Sequence, residues 1–167
     1  MQKTSTFTEI VRYSENVKNE GKSLGLVVGS FDILHLGHLN LFRLAKKHVD
    51  FLIVGLDRDE TIRLTKGINR PINNYERRSA FLNEVRTVDK VFLIERISKH
   101  GSEESIETFT HLIGSIKPTH IFTHIVCDRH WREKEILAKN IEITCVLDKS
   151  KKITNSGTII DLLELEL

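Results

Sequence analysis

Two cysteines, Cys127 and Cys145, are all that this 167-residue chain contains, and they stand far apart in sequence. That spacing excludes a disulfide-rich scaffold and a C-x-x-C redox or zinc motif, and it predicts buried thiols. Prolines are as scarce, at Pro71 and Pro118, and no repeat or low-complexity stretch interrupts the chain. No apolar run approaches the roughly twenty residues that a membrane span needs. Met1 to Thr8 lacks the charged-then-apolar layout of a secretory signal. Cytoplasmic residence with no membrane partner is the expectation. A formal net charge of +2 is too mild to point to nucleic acid, although local lysine and arginine clusters would still attract small anions. The length suits one domain over residues 1–167, with a helical extension over 1–22 and a core over 24–165.

What is present is a regular alternation of apolar runs and helical patterns. Strands are predicted at Leu24 to Val28, Phe51 to Leu56, Lys90 to Ile94, His120 to Val126 and Ile141 to Val146. Helices are predicted near Phe7 to Asn19, His38 to Lys47, Arg58 to Leu64, Tyr75 to Arg86, Glu103 to Ser115, Arg132 to Lys139 and Ser156 to Leu165. Such alternation implies an α/β fold, a doubly wound parallel five-stranded sheet covered on both faces.

Chemistry concentrates where the first strand turns into a helix, in Gly29-Ser30-Phe31-Asp32-Ile33-Leu34-His35-Leu36-Gly37-His38. In open α/β sheets this turn lies at the carboxyl edge, where ligands bind, and the amides of the following helix face any incoming anion. Gly29 and Gly37 are expected to remove side chains where the backbone approaches a phosphate or takes a positive φ. His35 and His38 are one turn apart, so both imidazoles can face one pocket.

The spacing H-x-G-H behind G-x-F-D resembles the signature of nucleotidyltransferases of the cytidylyltransferase type, a Rossmann-like superfamily. Glycerol-3-phosphate cytidylyltransferase, the heptose-phosphate adenylyltransferase domain and archaeal FAD synthetase are members. The similarity continues in order through Thr65-Lys66-Gly67, Arg70-Pro71-Ile72-Asn73, Tyr75-Glu76-Arg77-Arg78 and Val88-Asp89-Lys90-Val91, spanning Leu24 to Ile160. The resemblance implies that His35, His38 and the loop lysine Lys66 are catalytic. It implies that Gly29, Ser30, Phe31, Gly37 and Arg78 bind the nucleotide, with the Ser30 amide toward the α-phosphate. Arg77 beside Arg78 stays an alternative, and Asp32 resembles a substrate-side aspartate whose other reading is a helix cap. Asp57 and Asp59 are expected to cap the short third helix.

Toward the carboxyl end, Lys152-Ile153-Thr154-Asn155-Ser156-Gly157-Thr158-Ile159-Ile160 is similar to the family's hydroxyl-bearing triphosphate segment, in either of two alignments. Thr154, Ser156, Gly157 and Thr158 are therefore nucleotide candidates, and lysines stand where an arginine is usual. Asp128-Arg129-His130-Trp131 lies where relatives carry G-D-D-W or G-x-D-Y, which makes Asp128 a nucleotide candidate and Trp131 a substrate-stacking one. Four histidines, His111, His120, His124 and His130, lack a completing cysteine or carboxylate at usual spacing, so no metal ligands are assigned.

Nucleotidyl transfer asks for positioning and for donors aimed at developing negative charge, not for a protein nucleophile. The expected activity is transfer from CTP to a small phosphorylated sugar or polyol, with Mg2+ arriving on the triphosphate and pyrophosphate leaving. The alternatives are an ATP-dependent adenylyltransferase of the heptose-phosphate or FAD synthetase type, and a catalytically inactive nucleotide-binding module. The resemblance also implies a homodimer.

Overall fold

The structure, a computed structural model, describes residues 4–151 and Ile159. Five strands form one parallel sheet: β1 (Leu24–Gly29), β2 (Phe51–Asp57), β3 (Lys90–Ile94), β4 (His120–His124) and β5 (Thr144–Asp148), in the order β3-β2-β1-β4-β5. Chain direction across the sheet reverses between β1 and β4, and the crevice outside the carboxyl ends of those two strands is where such sheets bind ligands. Among the described residues six helices cover it: α1 (Phe7–Asn19), α2 (Leu36–Lys46), α3 (Asp59–Lys66), α4 (Tyr75–Asn83), α5 (Glu103–Ile116) and α6 (Trp131–Asn140).

Strand side chains alternate between two cores, as a pleated sheet buried on both faces requires. Leu24, Leu26, Ile53 and Ile121 point to one face, where Ile10 and Val17 of α1, Ile113 and Ile116 of α5 and Ala138 of α6 pack. Val27, Leu52, Val54 and Phe122 point to the other, against Leu41, Phe42 and Ala45 of α2 and Leu82 of α4. The helix ahead of β1 is thus part of the main core, with Ile10 0% exposed.

Several boundaries differ from those expected. α2 begins at Leu36 because His35, in extended conformation, already accepts from the His38 and Leu39 amides through its carbonyl. α3 runs to Lys66, whose turn is closed by Gly67 at φ 104 donating to the Arg63 carbonyl, so Lys66 ends a helix instead of floating in a loop. β4 stops at His124, whose Nδ1 accepts from the Val126 and Cys127 amides and turns the chain. β5 starts at Thr144 because α6 extends to Asn140 and the Ile143 amide still bonds back to Ala138, with Glu142 at φ 59. α4 ends at Asn83, short of Arg86. Cys127 is exposed and Cys145 partly buried, which corrects the expectation of two buried thiols. The helix expected over 156–165 lies outside the described residues.

Candidate active site

β1 ends under the turn that carries the histidines, and the turn is built tightly. Phe31 takes the left-handed conformation, φ 46, which a non-glycine residue holds only when its surroundings demand it. Its buried ring lies edge-on to His38, 4.9 Å between centroids, and 5.5 Å from Phe42. Phe31 is therefore a wedge beneath the site, where a nucleotide contact was expected of it. A side chain at Gly29 would meet that ring at 3.2 Å. One at Gly37 would meet the His35 imidazole at 3.0 Å. Neither glycine has a positive φ. Both make room for a ring, which corrects the expectation of backbone freedom.

His35 and His38 stack, with centroids 3.8 Å apart and planes inclined by 23°. The His38 Nδ1 accepts from the His35 amide at 3.4 Å, which places that ring's proton on Nε2. The His35 Nδ1 is buried with no partner among the described residues, and a proton there would lie unpaired, so Nε2 is favoured for it too. Burial, the adjacent His35 ring and the Lys66 charge push the His38 pKa down to about 3. His35 is lowered by desolvation. Both rings are neutral donors near neutral pH, held at the positive end of α2.

The Lys66 charge at the end of α3 is felt by His38 in the first turn of α2. Crowding by surrounding atoms and the Arg70 guanidinium hold the Lys66 ammonium below the usual lysine range, while Asp57 and Asp32 support its charge. Asp32, 1% exposed, spends its carboxylate on the protein itself. Its Oδ2 accepts from Arg70 Nε at 2.6 Å, and its Oδ1 accepts from the Ile72 and Asn73 amides. Asp32 does not cap α2; its carboxylate pins the 70–73 loop over the turn.

Arg78, 0% exposed, is likewise engaged. It donates to the Ser30 carbonyl at 2.5 Å, the Asp57 carbonyl at 2.7 Å and Asp59 Oδ1 at 2.7 Å. Its guanidinium clamps β1 to β2 beneath the turn, where a phosphate contact was expected. Asp59 also accepts from the Tyr75 amide, and Asp57 is buried at the end of β2. Neither caps α3, whose cap position is Arg58.

Asp57 is the site residue that sequence reasoning undervalued. One of its oxygens accepts from Ser30 Oγ at 3.0 Å and lies 3.0 Å from His100 Nε2. Local spacing carries no signal for that meeting, because His100 arrives from the segment after β3.

Beyond β4, Asp128 accepts from Thr123 Oγ1 at 2.6 Å and Lys134 Nζ at 2.6 Å. Burial alone would raise its pKa; the Lys134 charge and hydrogen bonds bring it down to about 2. The Arg132 guanidinium lies 5.2 Å from the Trp131 ring centroid. Asp128 is thus committed to Lys134, not presented as an open acceptor for a base. Thr154, Ser156, Gly157 and Thr158 lie outside the described residues. His111 packs on Phe7 and His120 on Phe122.

The histidine turn lies at the carboxyl edge of the sheet, where β1 ends. A concavity of about 390 Å³ lined by Ser14, Lys18 and Lys117 lies where α1 and α5 end, at the opposite edge, and takes no part in it.

Comparison with known proteins fits this geometry. The family model described as cytidylyltransferase-like matches residues 26–160. The chain belongs to the cytidylyltransferase-like family. It is 37% identical over 113 residues to the bifunctional protein HldE of Aliarcobacter butzleri, covering 68% of this chain and 22% of that protein. It is 39% identical over 135 residues to the bifunctional protein HldE of Nitratiruptor sp., covering 81% of this chain and 26% of that protein. The chain therefore spans about a quarter of the length of these relatives. The crystal structure of a lipopolysaccharide core biosynthesis protein from Thermoplasma volcanium superposes with a TM-score of 0.60 at 27% identity, covering 79% of this chain and all of the other. No helix among the described residues is long and apolar enough to cross a membrane.

Proposed function

We propose that this chain transfers an adenylyl group from ATP to a phosphorylated sugar of the heptose-phosphate class, releasing pyrophosphate. The observation that carries it is the stacked neutral pair His35 and His38 at the start of α2. An oxygen of the acceptor phosphate attacks the α-phosphorus, the bond to the bridging oxygen breaks, and the β- and γ-phosphates depart together. Negative charge grows on the bridging and equatorial oxygens. Two Nε2–H donors and an ammonium, already oriented, meet that charge without reorganising. A neutral imidazole suits this role, because it donates a hydrogen bond without surrendering a proton.

ATP replaces the CTP expected from sequence because the similarity to the HldE proteins supports the adenylyl alternative. Mg2+ enters with the triphosphate and offsets its charge. Both Asp32 oxygens and one Asp57 oxygen already meet protein donors, which supports assigning the metal to substrate oxygens.

Pyrophosphate release tests the proposal: the protein is incubated with Mg2+, either ATP or CTP, and a heptose phosphate, glycerol 3-phosphate or FMN. Release with ATP and the heptose phosphate is expected. Release with CTP alone would overturn the base assignment, and release with FMN the acceptor. Tight nucleotide binding with no release for any pair would make the domain an inactive nucleotide-binding module.

A further inference from the structure

We propose that His100 is a positioning residue of this site: through a single buried oxygen of Asp57 it fixes the Ser30 turn, and it holds in place the carboxylate at the end of β2 whose charge supports Lys66. The proposal rests on the nucleotidyl-transfer function above and adds a residue that the motif does not contain.

His100 lies between β3 and α5 and grips the neighbourhood of Lys66 twice. Its amide donates to Thr65 Oγ1 at 3.1 Å, immediately before Lys66, and Thr65 in turn donates to the Thr61 carbonyl within α3. Its Nε2 lies 3.0 Å from Asp57 Oδ2, the oxygen that also accepts from Ser30 Oγ. Ser30 is held on its other side by Arg78, through its carbonyl. The residue whose amide is expected to face the α-phosphate is therefore clamped by two groups, one of which depends on His100. The His100 segment is itself braced. Ser98 donates to Thr61 Oγ1 at 3.4 Å, and the His130 ring lies so close over Gly101 that a Cβ there would sit 2.5 Å from it.

A carboxylate as deeply buried as Asp57 should lose its charge. It keeps it because, against the burial that would raise its pKa, the His100 hydrogen bond, the Ser30 hydroxyl and Lys134 together lower it. That charge supports the Lys66 ammonium, which burial and Arg70 push the other way. Loss of His100 removes the largest of the effects that keep Asp57 ionised and so weakens Lys66 as a cation. Glutamine at position 100 preserves a neutral N–H donor of similar reach, so donation to Asp57 can be separated from simple space filling.

The test compares wild type, His100→Ala and His100→Gln by three measurements: thermal midpoint, turnover with ATP and a heptose phosphate, and the titration of Lys66 followed by NMR of 13C-labelled lysine. In His100→Ala the Lys66 titration moves to lower pH and turnover falls by about tenfold or more, the scale of a small misplacement at a reacting centre. In His100→Gln both return most of the way. An unchanged Lys66 titration in His100→Ala would overturn the proposal. Equal losses in both variants with equal lowering of the thermal midpoint would make His100 a packing residue and also overturn it. If the wild type releases no pyrophosphate, the proposed function fails, and the Lys66 titration still decides the part assigned to His100.

Discussion

Gly37 shows how a single hydrogen in place of a methyl group sets the chemistry of this turn. It lies inside α2, where alanine is ordinarily worth about 1 kcal/mol more than glycine. Its missing side chain is space taken by the His35 imidazole, 3.0 Å from where a Cβ would lie. Gly37→Ala is therefore expected to keep the thermal midpoint within a few degrees while lowering turnover by tenfold or more, because the ring must leave its stack on His38. Calorimetry and steady-state kinetics on the same preparation check both halves. A parallel loss of stability and turnover would mean that the backbone, not the ring, needs the glycine. The pairing of the two histidine rings was legible in sequence because their spacing is local, whereas Lys66 was named only through the family resemblance. The reason for the glycines was not, since it depends on which rotamer the neighbouring ring adopts.

At the level of elements, α4 illustrates how an arginine expected at a phosphate becomes an internal brace. One turn into that helix, Arg78 faces the sheet and joins the ends of β1 and β2, while Arg77 is exposed. Burying a guanidinium is costly, and removing it leaves the Ser30 and Asp57 carbonyls and Asp59 without their donor. Arg78→Met should destabilise the fold by about 3 to 5 kcal/mol in chemical denaturation, whereas Arg77→Ala should stay within about 0.5 kcal/mol. The helical period distinguishes these two neighbours only once the face toward the sheet is known. Similar reasoning explains the shifted start of β5: Ile141 and Ile143 look like strand residues, yet the closing turn of α6 claims them.

For the molecule as a whole, the carboxyl edge of the sheet is tied together by buried ionised groups, and this makes stability depend on pH. Asp128, brought down to about 2 from its ordinary 3.8, and Asp57, lowered by His100 and Ser30 against its burial, bind protons less readily folded than unfolded. Stability from Asp128 is complete above its unfolded pKa near 3.8 and is lost as pH falls toward about 2. Replacing Lys134 by Met removes the strongest opposing charge, so the acid-unfolding midpoint should move to higher pH, with little change at pH 7 beyond the lost pair. Circular dichroism across an acid titration of both proteins checks this. An unmoved midpoint would show that Asp128 does not contribute to acid unfolding.

Strand and helix alternation, the parallel sheet and the histidine motif were decided by the sequence alone, because periodicity and local spacing need no knowledge of what lies across the fold. The partners of Asp32, Asp57, Arg78 and Asp128 were decided only by tertiary structure. Asp32, Asp57 and Arg78 meet groups brought from other strands and loops, while Asp128 is met by near neighbours on either side of its turn, because a buried charge is satisfied by whatever donors the packing delivers, near or far along the chain.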